Sequence, residues 1–175
     1  MLEVGVGGRV RTDGDSGERI ATFVSRVVRS VILYGQLAGN TGAVADEIEL
    51  KLVVAVSVIQ NVTGASADAA KTYDVLLLGS STWGVGDLQD DWYAFVEALK
   101  KEDLTGKRVG LFGCGNSGSF PDSFCDALGI LHEALSGTGC VFTGEMASDD
   151  YAVTYSLAFH GDRVLGRVAG DAVAG

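Results

Sequence analysis

Short apolar runs alternate with helical stripes along this chain. Val31-Ile32-Leu33-Tyr34 is a compact run rich in β-branched residues and ended by Gly35, the pattern of a strand buried on both faces. Val44, Ile48 and Leu52 then recur at helical spacing, and Val53 to Ile59 forms a second β-rich run. Val75 to Leu78, closed by Gly79, predicts a third strand; Val109 to Phe112, closed by Gly113, predicts a fourth; Val141-Phe142 begins a fifth. Between them, Leu88, Trp92, Phe95, Val96 and Leu99 make one amphipathic stripe, and Phe124, Ala127, Leu128, Leu131 and Leu135 make another.

This alternation predicts βαβ units, right-handed crossovers and a parallel sheet. Ligands of such sheets bind outside the carboxyl ends of the strands, at the topological switch point. Three segments therefore matter. After the first strand comes Gly35-Gln36-Leu37-Ala38-Gly39-Asn40-Thr41, a glycine-bearing turn into a helix N-terminus, where backbone N–H groups and the helix dipole favour an anion. It has neither Walker A nor GxGxxG spacing, and a plain strand-to-helix turn reads equally well. After the third comes Ser80-Ser81-Thr82-Trp83-Gly84-Val85-Gly86-Asp87, whose Trp83 can offer a face to a flat aromatic ligand or cap the core. After the fourth comes Gly113-Cys114-Gly115-Asn116-Ser117-Gly118-Ser119-Phe120, with a second aromatic. Two loop aromatics flanking a phosphate-type turn suggest a planar ring with a phosphate tail.

Composition narrows the class. The 175 residues suit one domain, and a formal net charge of −10 disfavours nucleic acid and anionic membranes as partners while suiting basic docking faces. The three cysteines, Cys114, Cys125 and Cys140, have no metal spacing and an odd count, as expected in a reducing cytoplasm. No apolar run reaches membrane-spanning length, and the N-terminus lacks the pattern of a signal peptide.

Three stretches carry a family resemblance: "YGQLAGNTGAVADEIELKL", "YDVLLLGSSTWGVGDLQDDW" and "GLFGCGNSGSFPDSFCDALGIL". Over residues 30 to 168 the chain resembles the flavodoxins, and its Tyr151 to Val168 looks like the insertion that splits the fifth strand in their long-chain branch. The resemblance implies an α/β, flavodoxin-like, doubly wound five-stranded parallel sheet of order 2-1-3-4-5 with an insertion in the fifth strand. It implies bound FMN and a one-electron carrier between a flavodoxin/ferredoxin reductase and acceptor enzymes, expected as a cytoplasmic monomer. By resemblance Gln36, Leu37, Ala38, Gly39, Asn40 and Thr41 wrap the phosphate. Trp83 and Phe120 flank the ring, with Ser81, Thr82, Val85, Cys114 and Gly115 around it. Gly84 sits where a peptide turns over to meet the flavin N5, Asn116 at the pyrimidine edge, and Asp149 near the ribityl chain.

Several positions depart from the family pattern. Gln36 and Ala38 stand where hydroxyls are usual, which predicts weaker phosphate binding. Phe120 stands for a usual Tyr, and Asn116 for a common acidic residue. The family's long terminal helix has no counterpart in "VAGDAVAG" near the end, whereas Ile20, Phe23, Val24, Val27 and Val28 recur at helical spacing behind a cap at Asp15 or Ser16. The expectation is a single domain with a loose segment over 1–14, a helix over 15–29 that takes the terminal helix's place by circular permutation, and a core over 30–168. An unrelated amphipathic extension is the other reading of 15–29.

Two other functions share this topology. A flavin-dependent NAD(P)H:quinone reductase on the same fold needs a substrate pocket over the ring, which Phe120 blocks. A receiver domain needs an Asp at the end of the third strand, where Ser80 stands. His132 and His160 read as surface or satisfied histidines, and no Ser/His/Asp or Cys/His set is visible.

Overall fold

The computed structural model describes residues 28–35, 40–51, 56–148, 153 and 155–170. Strand β1 (Ser30–Gly35) leads into α1 (Asn40–Lys51), then β2 (Val56–Asn61) and β3 (Val75–Trp83), which turns back through β4 (Asp87–Leu88). Helix α2 (Asp91–Leu99), β5 (Arg108–Gly115) and α3 (Asp126–Leu135) follow. The remainder is β6 (Val141–Thr143), β7 (Met146–Ala147), β8 (Phe159–His160), β9 (Arg163–Val164) and β10 (Gly166–Gly170).

The strands β2-β1-β3-β5 pair in parallel, and the fifth place beside β5 is shared by two strands. β6 pairs with Arg108 to Gly110, and β10 takes over at Leu111 and runs to Gly115. The expected order 2-1-3-4-5 is therefore present, with its last strand split. The residues between the halves include a small antiparallel sheet, β7-β9-β8.

Period-two alternation sends side chains to both faces of the sheet. On one face Val31, Leu33, Leu76, Leu78, Val109 and Leu111 meet Trp92, Phe95, Val96 and Leu99 of α2 and Ala127, Leu128, Leu131 and Leu135 of α3. On the other, Ile32 and Phe112 pack with Ala45 of α1, joined by Tyr34, Val44, Ile48 and Leu77. The predicted stripes are thus the buried faces of α2 and α3, except that Leu88, also buried, belongs to β4 and Phe124 precedes α3.

Three expectations need correction. Gly79 and Gly113 do not close their strands; both lie inside them. They are small because neighbours lie over them: a Cβ on Gly79 would sit 2.1 Å from the Phe112 ring, and one on Gly113 2.1 Å from Leu128. Phe124 belongs to the connection before α3, which starts at Asp126 after Cys125 in the left-handed region at φ 59°. The expectations for 1–14 and for most of the 15–29 helix lie outside the described residues. At its end, Val28 and Arg29 are not helical: Arg29 O accepts from the N–H groups of Asp74 and Val75, at 2.8 and 3.2 Å, continuing the β1–β3 ladder.

Candidate functional site

The carboxyl ends of β3 and β5 and the N-terminus of α1 face an open cavity of about 380 Å³, a size in the range of small-molecule and cofactor sites. Its walls come from α1 (Asn40), the β3–β4 hairpin (Ser81, Thr82, Trp83, Gly84), the end of β5 (Cys114, Gly115) and the segment that follows (Asn116, Phe120, Ser123, Phe124). Among the described residues the lining holds no carboxylate, ammonium, guanidinium or imidazole. An anionic ligand group here must be held by backbone N–H groups, hydroxyls and the helix dipole.

The hairpin is built by the sequence Trp-Gly-Val-Gly. Gly86 N donates to Trp83 O at 3.1 Å, Gly84 carries φ +52° and Gly86 φ +110°. A positive φ at the first central residue but not at Val85 is the pattern of a type II′ turn, which matches strand twist and calls for glycine first. Ser81 and Thr82, expected in a loop, are the last residues of β3 beside Trp83. Trp83 Nε1 donates to Ser81 Oγ at 2.9 Å, which fixes the tilt of the indole. Thr82 Oγ1 accepts from Ala127 N at 3.2 Å and ties the strand end to α3.

Opposite, Asn116 organises the second aromatic. Its Oδ1 accepts from Ser119 N at 2.8 Å and its carbonyl accepts from Phe120 N at 2.9 Å. This side-chain-closed turn presents Phe120 with 46% of its surface exposed. Trp83, at the end of β3, and Phe120, in the segment after β5, therefore border the same cavity.

Of the other expected site residues, Thr41 lies in the first turn of α1, wholly buried, next to the wall residue Asn40 and not itself on the cavity wall. Its Oγ1 has no hydrogen-bond partner among the described residues. Val85, at the hairpin tip, is 80% exposed and is not part of the cavity wall. Gln36, Leu37, Ala38, Gly39 and Asp149 lie outside the described residues. Ser123 and Phe124 are wall residues that sequence reasoning missed. Phe124 reads as helix stripe, and Ser123 carries no local signal; only the approach of the α3 entry to the hairpin brings it to the cavity.

The Flavodoxin family model matches residues 32–161. The chain belongs to the flavodoxin family. It is 34% identical over 127 residues to the flavodoxin of Haemophilus influenzae, covering 73% of each chain. It is likewise 34% identical over 136 residues to that of Synechocystis, covering 77% of this chain and 80% of the relative. Among solved structures it is similar to a Fusobacterium nucleatum flavodoxin bound to flavin mononucleotide, with a TM-score of 0.75 and 26% identity over 83% of this chain and 87% of the other. Flavodoxins are electron-transfer proteins rather than enzymes, and this member has its switch-point cavity between Trp83 and Phe120.

Proposed function

We propose that this flavodoxin binds FMN in the cavity and carries single electrons between redox proteins. The observation that carries the reading is the cavity itself: switch-point placement, two aromatic walls and an uncharged lining. The residues suit the cofactor on a further count. A buried hydroxyl without a partner costs stability, and Thr41 Oγ1 is such a group in the first turn of α1. A phosphate at that helix N-terminus supplies the missing acceptor. Asn40 and Thr41, with the turn Gln36 to Gly39, are assigned to the phosphate. Trp83 and Phe120 are assigned to the two faces of the ring, Gly84 to its N5 side, and Asn116 with Cys114 and Gly115 to its pyrimidine edge.

When bound, FMN supplies the redox chemistry, accepting and releasing electrons one at a time. The chain holds the ring between apolar faces and keeps water from them. Gly84, without a Cβ, leaves its peptide free to turn toward a protonated ring nitrogen. Phe120 covers the place where a hydride donor or quinone has to stack, which favours a carrier over a quinone reductase. The partners are proposed to be a reductase and acceptor enzymes with basic docking faces, met by a cytoplasmic monomer. Among the described residues no helix is long and apolar enough to cross a membrane.

Titrating the full chain with FMN and following quenching of flavin fluorescence tests the reading. Saturable binding at one site is expected, with Thr41→Val weakening FMN about tenfold or more, the loss of one hydrogen bond to a charged group. Riboflavin, which lacks the phosphate, is expected to bind both proteins alike. Failure to bind at millimolar FMN overturns the proposal.

A further inference from the structure

The short segment 155–158, between the halves of the split fifth strand, is fastened to the entry of α3 and not to its own small sheet alone. Tyr155 N donates to Pro121 O at 3.4 Å, Ser156 Oγ donates to Phe124 O at 2.7 Å, and Leu157 N donates to Asp126 Oδ1 at 2.7 Å. Leu157 also lies on Gly129, where a Cβ would be 2.4 Å from both its Cβ and its carbonyl oxygen.

Asp126 faces a second element at the same time. It is only 6% exposed, and its other oxygen, Oδ2, lies 2.9 Å from where a Cβ on Gly86 would be. Gly86 closes the hairpin that carries Trp83 and Gly84, and the neighbouring Ala127 N donates to Thr82 on the same hairpin. The first turn of α3 thus accepts a hydrogen bond from the inserted segment with one carboxylate oxygen, while the other occupies the space that a side chain on Gly86 of the hairpin would need. A buried charged acceptor depends on its donor for its position; without Leu157 N it moves toward water or other donors.

From this geometry we infer that Asp126 is a positioning residue through which the inserted segment 155–158 holds the hairpin Trp83–Asp87 in its cofactor-ready form. The link to the cofactor rests on the proposed FMN function; the mechanical link does not. The insertion then supports the site from behind, at residues that do not line the cavity.

Amide hydrogen exchange on the full chain without ligand tests the link. In Asp126→Ala, exchange at Leu157 is expected to quicken by about tenfold or more, the scale of one hydrogen bond to a charged group, and exchange at Gly86, whose N–H donates to Trp83 O, is expected to quicken with it as the hairpin loosens. Asp126→Asn, which keeps an acceptor oxygen of the same reach, is expected to restore protection at both amides. Gly129→Ala provides an independent route: alanine favours the helix but its methyl evicts Leu157, and Gly86 is again expected to lose protection although Asp126 and the hairpin are unaltered. With FMN, Asp126→Ala and Gly129→Ala should both weaken binding, and Asp126→Asn should not. If Leu157 is released in Asp126→Ala and Gly129→Ala while Gly86 exchanges as in the wild type, or if Asn fails to rescue, Asp126 anchors the insertion alone and the inference is overturned. Because exchange is read without ligand, a wild-type protein that binds no FMN sinks the functional reading and leaves this test intact.

Discussion

At the scale of single residues, Asn116 is the clearest lever on the proposed redox function. Its side-chain oxygen already accepts from Ser119 N, so an aspartate keeps the turn and adds one negative charge at the cavity wall. Negative charge opposes addition of an electron. Asn116→Asp is therefore expected to make the potential of bound FMN more negative, by an amount on the order of tens of millivolts, where about 59 mV is a tenfold change for a one-electron couple. A redox titration of both proteins that returns equal potentials would remove Asn116 from the list of tuning residues. Trp83, Phe120 and Asn116 were legible in the sequence because aromatics and glycines in a loop between β and helical patterns are rare and local. Thr41 was legible as a residue but not in its state: that its hydroxyl is buried without a partner depends on how α1 packs on the sheet.

At the scale of elements, the contact between α3 and the antiparallel sheet is expected to weaken in acid. His132 of α3 stacks on Phe142 of β6, with ring centres 4.1 Å apart, and lies 5.8 Å edge-on from His160 of β8. Burial, and next the charge of His160, hold its pKa below the ordinary 6.5; Glu145, itself paired with Arg163 at 3.5 Å, opposes the shift. The folded state therefore resists a proton that the unfolded chain accepts. The contribution is present above pH 6.5 and is lost as pH falls through the lowered folded value. Melting temperature is expected to drop between about pH 7 and pH 5, and to drop less in His132→Gln. Equal slopes for the two proteins would rule out His132 as a source. Each histidine reads alone as a surface residue, and only the folding of the insertion back onto α3 brings them together.

At the scale of the whole molecule, charge acts beyond any one contact. With a formal net charge of −10, the protein should associate faster with a basic partner at low ionic strength than at high. Stopped-flow electron transfer with a flavodoxin reductase is expected to slow steadily as salt is raised toward 0.5 M, roughly where the Debye length falls well below its value of about 8 Å at physiological strength. A rate indifferent to salt would assign docking to apolar contact alone. Fold completeness is also decided at this scale. Among the described residues, the face carrying Ile32 and Phe112 is covered by α1, while the opposite face is covered by α2 and α3.

The sequence by itself determined the order of the main strands and helices, the parallel sheet and the loops beside which the cavity opens, because period-two and helical hydrophobic patterns, and the loops that punctuate them, are properties of consecutive residues. It misjudged Gly79 and Gly113 as strand ends. A glycine that stops a strand and a glycine that makes room for Phe112 or Leu128 look alike until the neighbour is known. Tertiary structure alone decided the rest. It set the point, between Gly110 and Leu111, at which the expected split of the fifth strand passes pairing from β6 to β10, set Ser123 and Phe124 at the cavity, paired His132 with His160, and gave Asp126 its two neighbours. Each of these joins residues from separate elements, and their meeting follows from packing across the sheet edge, which no local periodicity encodes.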